Sequence, residues 1–143
     1  MPQYCTFLID QQLFGIDVRK VQEVLPYQEM TTVPLAPKSV LGLINLRGQI
    51  VTAIDLRTRL GMPGRPSDRL PMNVVLGDQD CLLSLLVDEI REVIEVDEES
   101  FEKSPESLSS AARELIRGAY KLEDRLLLVL DGDKAIEINA LKS

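Results

Sequence analysis

Histidine is absent from the 143 residues. With it go the commonest general base at neutral pH and the commonest metal ligand. A Ser-His-Asp or Cys-His relay is excluded, and so is a phospho-accepting histidine on this chain. Tryptophan is also missing and aromatics are only 4% of the residues, so the core must be built mostly from Leu, Ile and Val. No run approaches the roughly 18 apolar residues that span a bilayer. Met1-Pro2-Gln3-Tyr4 lacks the basic-then-apolar order of a signal peptide. There is no Walker-type glycine loop and no G-x-G-x-x-G opening a helix. No Cys pair has ligand spacing, so neither a zinc site nor any other cofactor is expected. Cys5 and Cys81 lie far apart, each inside an apolar run. They read as buried hydrophobes in a reducing cytoplasm rather than as a disulfide framework.

What is present is ordinary globular material, 45% hydrophobic and 27% charged. Sixteen basic against 23 acidic residues give a net charge of −7, which repels polyanions on average, so neither nucleic acid nor an anionic lipid surface is an expected partner. The carboxylate clusters Asp97-Glu98-Glu99 and Asp88-Glu89 read as solvated faces. A carboxylate-dependent enzyme stays open as a reading of another class. Asp131-Gly132-Asp133 lacks the further spaced oxygens of a calcium loop, and helix capping accounts for it better.

Period-two apolar runs separated by turn residues dominate the chain. Tyr4–Ile9 and Leu13–Ile16 flank Asp10-Gln11-Gln12 as a first hairpin. Asp17 is a good N-cap for one or two helical turns from Val18 to Gln22, and an extended run to Val33 is expected after them. Pro34-Leu35-Ala36-Pro37 reads as a stiff crossing segment. Val40–Leu46 and Gln49–Ile54 flank Arg47-Gly48, an X-Gly hairpin signal. Asp55 caps a short helix, Leu56–Leu60, before the loop-rich Gly61–Asp68. In the second half, Asn73–Leu76 and Cys81–Val87 form a hairpin around residues 77–80, followed by Ile90–Ile94. Glu95–Ser110 is acidic loop with a helical turn. Ile116–Leu122 and Arg125–Leu130 form the last hairpin, and Asp131 caps a helix to about Asn139.

The halves match one another. Gly42-Leu43-Ile44-Asn45-Leu46 aligns with Gly118-Ala119-Tyr120-Lys121-Leu122. At the same spacing Ile50 meets Leu126, Ile54 meets Leu130 and Asp55 meets Asp131. At a slightly shorter spacing Val21-Gln22-Glu23-Val24-Leu25 aligns with Ile90-Arg91-Glu92-Val93-Ile94. Two similar β units of about five strands follow, each too small to bury a good core alone, so they should pack on each other. Chance similarity between apolar hairpins is the competing reading. A single domain over 1–143 is expected, with subdomains at about 13–66 and 67–143. The N-terminal strand and C-terminal helix are free to cross between them.

With chemistry missing, surface remains. Arg47 at a hairpin tip beside Asn45 and Gly48 is either a solvated turn residue or an interface anchor with five donors and a flat face. Val18 and Val21, next to Glu23, are either core or interface.

The segments Phe14-Gly15-Ile16-Asp17-Val18-Arg19-Lys20-Val21-Gln22-Glu23-Val24, Gly42-Leu43-Ile44-Asn45-Leu46-Arg47-Gly48-Gln49-Ile50-Val51 and Ile54-Asp55-Leu56-Arg57, with Val87-Asp88-Glu89-Ile90-Arg91-Glu92-Val93 further on, resemble the CheW family in order and spacing. The resemblance runs from about Tyr4 to Leu141. It implies two interleaved five-stranded SH3-like β-barrels with short helices, a mainly β fold. It implies a non-catalytic adaptor that joins the signalling tip of methyl-accepting chemoreceptors to the regulatory domain of a CheA-type histidine kinase. Such a protein works in the cytoplasm, at receptor arrays on the inner face of the membrane. The same coupling role in pilus motility or another chemosensory pathway fits the motifs equally. By the family pattern the partner-binding residues are Val18, Val21, Glu23, Gly42, Asn45, Leu46, Arg47 and Gly48. The receptor bundle is expected at a groove near Val18, Val21 and Gly42. Departures from the pattern are Leu25-Pro26-Tyr27, Thr52-Ala53 and Ser84, the last where a glycine is common. Neither a receiver domain nor a kinase core is expected within these residues.

Overall fold

A computed structural model describes residues 2–66, 68–77, 82–103 and 108–135. The expected turn at 78–80, Cys81, Ser104-Pro105 and the helix end near Asn139 lie outside them. Eleven strands are described: β1 (Gln3–Ile9), β2 (Gln12–Asp17), β3 (Val21–Leu25), β4 (Val40–Leu46), β5 (Gln49–Asp55), β6 (Met72–Gly77), β7 (Leu82–Val87), β8 (Glu89–Glu95), β9 (Phe101–Glu102), β10 (Ile116–Lys121) and β11 (Leu126–Leu130). Two short α-helices, α1 (Leu56–Arg59) and α2 (Ser110–Leu115), two 3-10 turns, Val18–Lys20 and Glu98–Ser100, and a last helical turn at 132–135 complete the described elements.

The strands form two sheets, one in the order β8-β1-β2-β11-β10-β9 and the other β3-β6-β7-β5-β4. Apart from the two-residue β9, which makes one sheet six-stranded instead of five, the orders correspond strand for strand. β1–β2 takes the place of β6–β7, β8 that of β3, and β10–β11 that of β4–β5. Both sheets join their hairpins by one parallel pair, β11 with β2 and β5 with β7. The irregularities correspond too. The register slips between Val40 and Gly42 and again between Ile116 and Gly118. It slips between Val21 and Glu23, and again on β1 where Val93 and Ile90 face Cys5 and Phe7. Bulges at matching positions make duplication, not chance, the account of the sequence repeat.

Sheet membership does not follow the expected boundary near residue 66. The whole β1–β2 hairpin joins the C-terminal strands, and the whole β6–β7 hairpin joins the N-terminal ones. Each sheet therefore needs a hairpin from the other half to be complete. One core results, with Phe7, Phe14 and Ile16 from the first sheet packed among Ile54, Leu76, Leu83 and Leu85 of the second. Phe7 and Phe14 stack at 6.4 Å between ring centroids. Burying each such side chain stabilises by about 1.5–3 kcal/mol, so neither half can be withdrawn cheaply.

Two local expectations shift. The helical turn after Asp17 is a single 3-10 turn, Val18–Lys20, capped by the Asp17 carboxylate accepting from the Arg19 amide. Val21 already belongs to β3, because its pairing with Leu76 offers more than another helical turn. The extended run stops at Leu25, where Pro26 removes the next backbone donor. Thr31 rejoins the sheet through one bridge to Leu43.

Candidate functional site

Arg47 and Gly48 are the two residues between β4 and β5, with φ of 51° and 88°. Positive φ at both central positions is the type I′ geometry that matches strand twist. Asn45 fixes the turn by accepting from the Gly48 amide at 3.0 Å. The Arg47 guanidinium ion-pairs with Glu23 on β3, and that partner holds Arg47 firmly in its charged form. β3 and β4 are the two outer strands of their sheet, so this pair spans edges that only a curled sheet brings together. The tip remains open to solvent, and a Cβ at Gly48 would meet nothing within 4 Å.

The eight expected partner-binding residues separate into two groups. Asn45, Arg47 and Gly48 are exposed, Glu23 and Val18 half-buried. Leu46 is buried with Ile44, Val51 and Val75, and Val21 packs against the main core. Gly42 is buried too. A Cβ there would lie 2.8 Å from the Thr31 carbonyl oxygen and 2.9 Å from Met30 Cβ. Its role is to let the Met30–Thr31 segment lie against β4. Val18 lines a cleft of about 320 Å³ with Pro2, Gln3, Asp17, Arg19 and Glu98, and neither Val21 nor Gly42 lines it. Sequence reasoning passed over Ile50 and Val24, both exposed, next to the tip and to Glu23 respectively. Alternation along β3 carried the signal, since Val24 falls on the same side as Gln22.

The cleft continues into a second cavity of about 280 Å³, where Tyr4, Phe101, Arg117 and Tyr120 join the lining. Two of its groups, Asp17 and Tyr4, are shifted by their surroundings. A hydrogen bond from Arg19, against a smaller opposing effect of burial, holds the Asp17 carboxyl below the usual range. Burial, with a hydrogen bond to Tyr120, pushes the Tyr4 phenol up to about 12. Both shifts move Asp17 and Tyr4 away from proton transfer at neutral pH.

One polar cluster was misread from sequence. Asp88 is not on a solvated face, because its side chain is only 4% exposed. It accepts from Arg57 at 2.5 and 3.0 Å, from Arg65 at 2.9 Å and from the Asp10 amide at 2.7 Å. Asp55 lies 3.5 Å from Arg65 and also receives the Thr58 hydroxyl. Arg57 reaches the Pro63 and Gly64 carbonyl oxygens at 3.2 Å. Two carboxylates and two guanidiniums thus neutralise one another where the β1–β2 turn, the end of β5 and the 61–66 loop meet. Burial works against the Asp88 charge, but these donors outweigh it and hold its carboxyl below the ordinary range. A saturated cluster of this kind ties elements together and leaves no free group for chemistry.

Comparison with known proteins agrees with this geometry. Residues 3–139 match the CheW-like domain. The chain is 30% identical to Chemotaxis protein CheW of Klebsiella aerogenes, over 94% of this chain and 81% of the relative. It is also 30% identical to Chemotaxis protein CheW of Thermotoga maritima, over 92% and 85% respectively. The crystal structure of the scaffolding protein TtCheW from Thermoanaerobacter tengcongensis superposes with a TM-score of 0.81 at 30% identity, covering 92% of this chain and 90% of that one. Matching motifs, duplicated sheets and full-length similarity converge: the chain belongs to the CheW-like family of chemotaxis scaffolding proteins.

Proposed function

We propose that this chain is the coupling element between the signalling tip of a methyl-accepting chemoreceptor and the regulatory domain of a CheA-type histidine kinase. It works in the cytoplasm at receptor arrays. The observation that carries this reading is the exposed Arg47-Gly48 tip, fixed by Asn45 and Glu23 on a sheet that shares its core with a second, similar sheet. Such a body makes no bonds. It presents outer surfaces in a fixed mutual orientation, so two partners held on it act at high effective concentration. A receptor then biases the kinase only through contacts that differ between its signalling states. The family is a scaffolding one without catalysis, in keeping with a chain that has no histidine.

Arg47→Ala and Glu23→Lys test the reading in sedimentation of the ternary complex of this chain, kinase and receptor fragment. Loss of a central Arg anchor weakens such assembly by about tenfold or more, while thermal unfolding stays close to wild type because the Arg47 end of the pair is open to solvent and Glu23 only half-buried. Full assembly by both variants, or their failure to fold, refutes the placement of the interface at this tip.

A further inference from the structure

The chain crosses between the sheets from β2 to β3 and from β7 to β8, and the repeat places an ion pair at each of these junctions. Asp88, the residue before β8, pairs with Arg57. Lys20, the residue before β3, pairs with Asp133 at 2.7 Å. Arg57 and Asp133 correspond, since each stands two residues beyond a capping aspartate and donates its amide to it. Those amides reach Asp55 at 3.2 Å and Asp131 at 3.1 Å. The charges of the two pairs are exchanged, and so are their surroundings. Arg57 and Asp88 are 7% and 4% exposed, whereas Lys20 and Asp133 are 41% and 71% exposed. The Asp88 junction is reinforced by Arg65 and by the Asp10 amide. The Val18–Lys20 turn buries no residue, and its Arg19 pairs with the adjacent cap, Asp17. Lys20 is what ties this turn to the turn after β11. Its stem lies on bare backbone, where a Cβ at Gly132 would stand 2.8 Å from Lys20 Cγ.

We propose that the Lys20–Asp133 pair is a latch that opens and closes on the folded protein. An exposed pair adds little to stability, whereas a buried one is hard to part. Segments with few buried contacts open locally while the rest of a fold stays closed. Opening frees the Val18–Lys20 turn and the 132–135 turn together. The shared core of Phe14, Ile16, Leu76 and Leu83 stays packed, and the Asp88 junction stays shut. Val18 and Arg19 line the cleft described above with Pro2, Gln3 and Glu98. The latch therefore makes one wall of that cleft movable and controls access to Val18. Nothing in this device requires a bound partner.

Hydrogen exchange in the full chain tests the latch at four amides. On the latch side, Val21 donates to the Val18 carbonyl and Ala135 to the Asp131 carbonyl. On the other side, Leu60 donates to the Leu56 carbonyl and Met62 to the Arg57 carbonyl. In the wild type, Val21 and Ala135 are expected to exchange by local opening, and Leu60 and Met62 far more slowly. Lys20→Met keeps the stem and removes the charge, and Asp133→Asn removes its partner. Each variant is expected to speed Val21 and Ala135 together by about threefold, with no further gain when the two are combined. Leu60 and Met62 are expected to stay unchanged. Peptide-resolved modification of Val18→Cys by a small maleimide reads the cleft, and its rate should also rise about threefold when Lys20→Met is added. Unchanged exchange in both variants, or a rise confined to the mutated side, overturns the latch. Four amides that exchange together in the wild type overturn it as well. A Val18→Cys thiol whose reactivity stays constant while the amides speed up overturns the control of the cleft.

Discussion

In the six-stranded sheet Gly15 lies under Tyr4, and a Cβ there would stand 3.2 Å from the tyrosine Cβ and 3.0 Å from Leu127. In the five-stranded sheet the corresponding position is Ser84, and the partner corresponding to Tyr4 is Asn73. The Ser84 hydroxyl donates to Asn73 Oδ1 at 2.7 Å, and the Asn73 amide donates to the Pro26 carbonyl at 3.0 Å. One sheet fills the site with an aromatic ring over a bare backbone, the other with a buried polar relay. The hairpin tips differ in the same way. Arg47 pairs with Glu23, whereas the matching tip, Glu123-Asp124, lies on the same sheet as Glu92. There Arg91, Glu92, Asp124 and Arg125 line an open cavity of about 170 Å³. Duplication preserved strand order, bulges and caps but not side chains. The edge closed by an ion pair is the one that presents the candidate interface.

The greatest expected effect removes what binds the two sheets to each other. Asp88→Ala leaves the buried Arg57 and Arg65 without their main counter-ion, since both side chains are at most 7% exposed. Stranding a buried charge typically costs about 3–5 kcal/mol, which urea unfolding will read as a large drop in midpoint. If the cluster were peripheral, the midpoint would barely move. The acid limb provides an independent measure. The folded carboxyl of Asp88 titrates below its unfolded value, so its stabilisation is present above about pH 4 and is lost as the pH falls through the lower folded value. Asp88→Asn should flatten the slope of stability against pH in that acid range.

Next come the two matched glycines after the bulges. A Cβ at Gly42 meets the carbonyl of Thr31, which accepts from the Leu43 amide while the Thr31 amide donates to the Leu43 carbonyl, so this segment cannot readily yield. A Cβ at Gly118 meets the Glu102 carbonyl oxygen at 2.5 Å and the Phe101 ring. These belong to the two-residue outer strand β9, which can move away. Gly42→Ala is therefore expected to cost about 1–3 kcal/mol and Gly118→Ala less, despite the closer contact. Hydrogen exchange should show the Gly118 variant freeing Phe101–Glu102 while β10 stays protected. Equal global losses would mean that β9 is as fixed as the Thr31 bridge. A smaller change is expected from Ser84→Gly, which imitates Gly15. Removing the hydroxyl takes a donor from buried Asn73, worth about 1 kcal/mol in the thermal unfolding of the variant.

Most of the fold was legible because hairpin signals are local. Arg47-Gly48 between apolar runs, and Asp17, Asp55 and Asp131 at helical caps, are decided by a few neighbours. The repeat was legible too, as Gly42 against Gly118 and Glu23 against Glu92. Which hairpin joins which sheet was not, since the parallel pairs β2–β11 and β5–β7 depend on contacts across most of the chain. Asp88 was misjudged for the same reason. Beside Glu89 it looks like surface, and only folding brings Arg57 and Arg65 to it. At the candidate site, the motif proposed eight residues without telling exposed from packed: the structure leaves Arg47 open to solvent, half-buries Glu23, and packs Gly42 and Leu46 against neighbouring backbone and core.

The smallest effect concerns the aromatic filling that distinguishes the six-stranded sheet. Tyr4 and Tyr120 lie 5.6 Å apart between centroids, and Phe101 meets Tyr120 edge-on at 5.1 Å. Burial and the bond to Tyr120 hold the Tyr4 phenol protonated up to about pH 12. In the unfolded chain it ionises near pH 10. Between those values the unfolded state has already lost the proton that the folded state keeps. The stabilisation from Tyr4 is thus whole below about pH 10 and disappears as the pH climbs to the folded value. Tyr4→Phe should abolish the step near pH 12 in an ultraviolet titration and lessen the loss of stability at alkaline pH, with little change at neutrality. The five-stranded sheet has Asn73 at this position and no phenol to ionise. A Tyr4→Phe chain whose alkaline melting profile matched wild type would show that the ring merely fills space, as any apolar residue over Gly15 could.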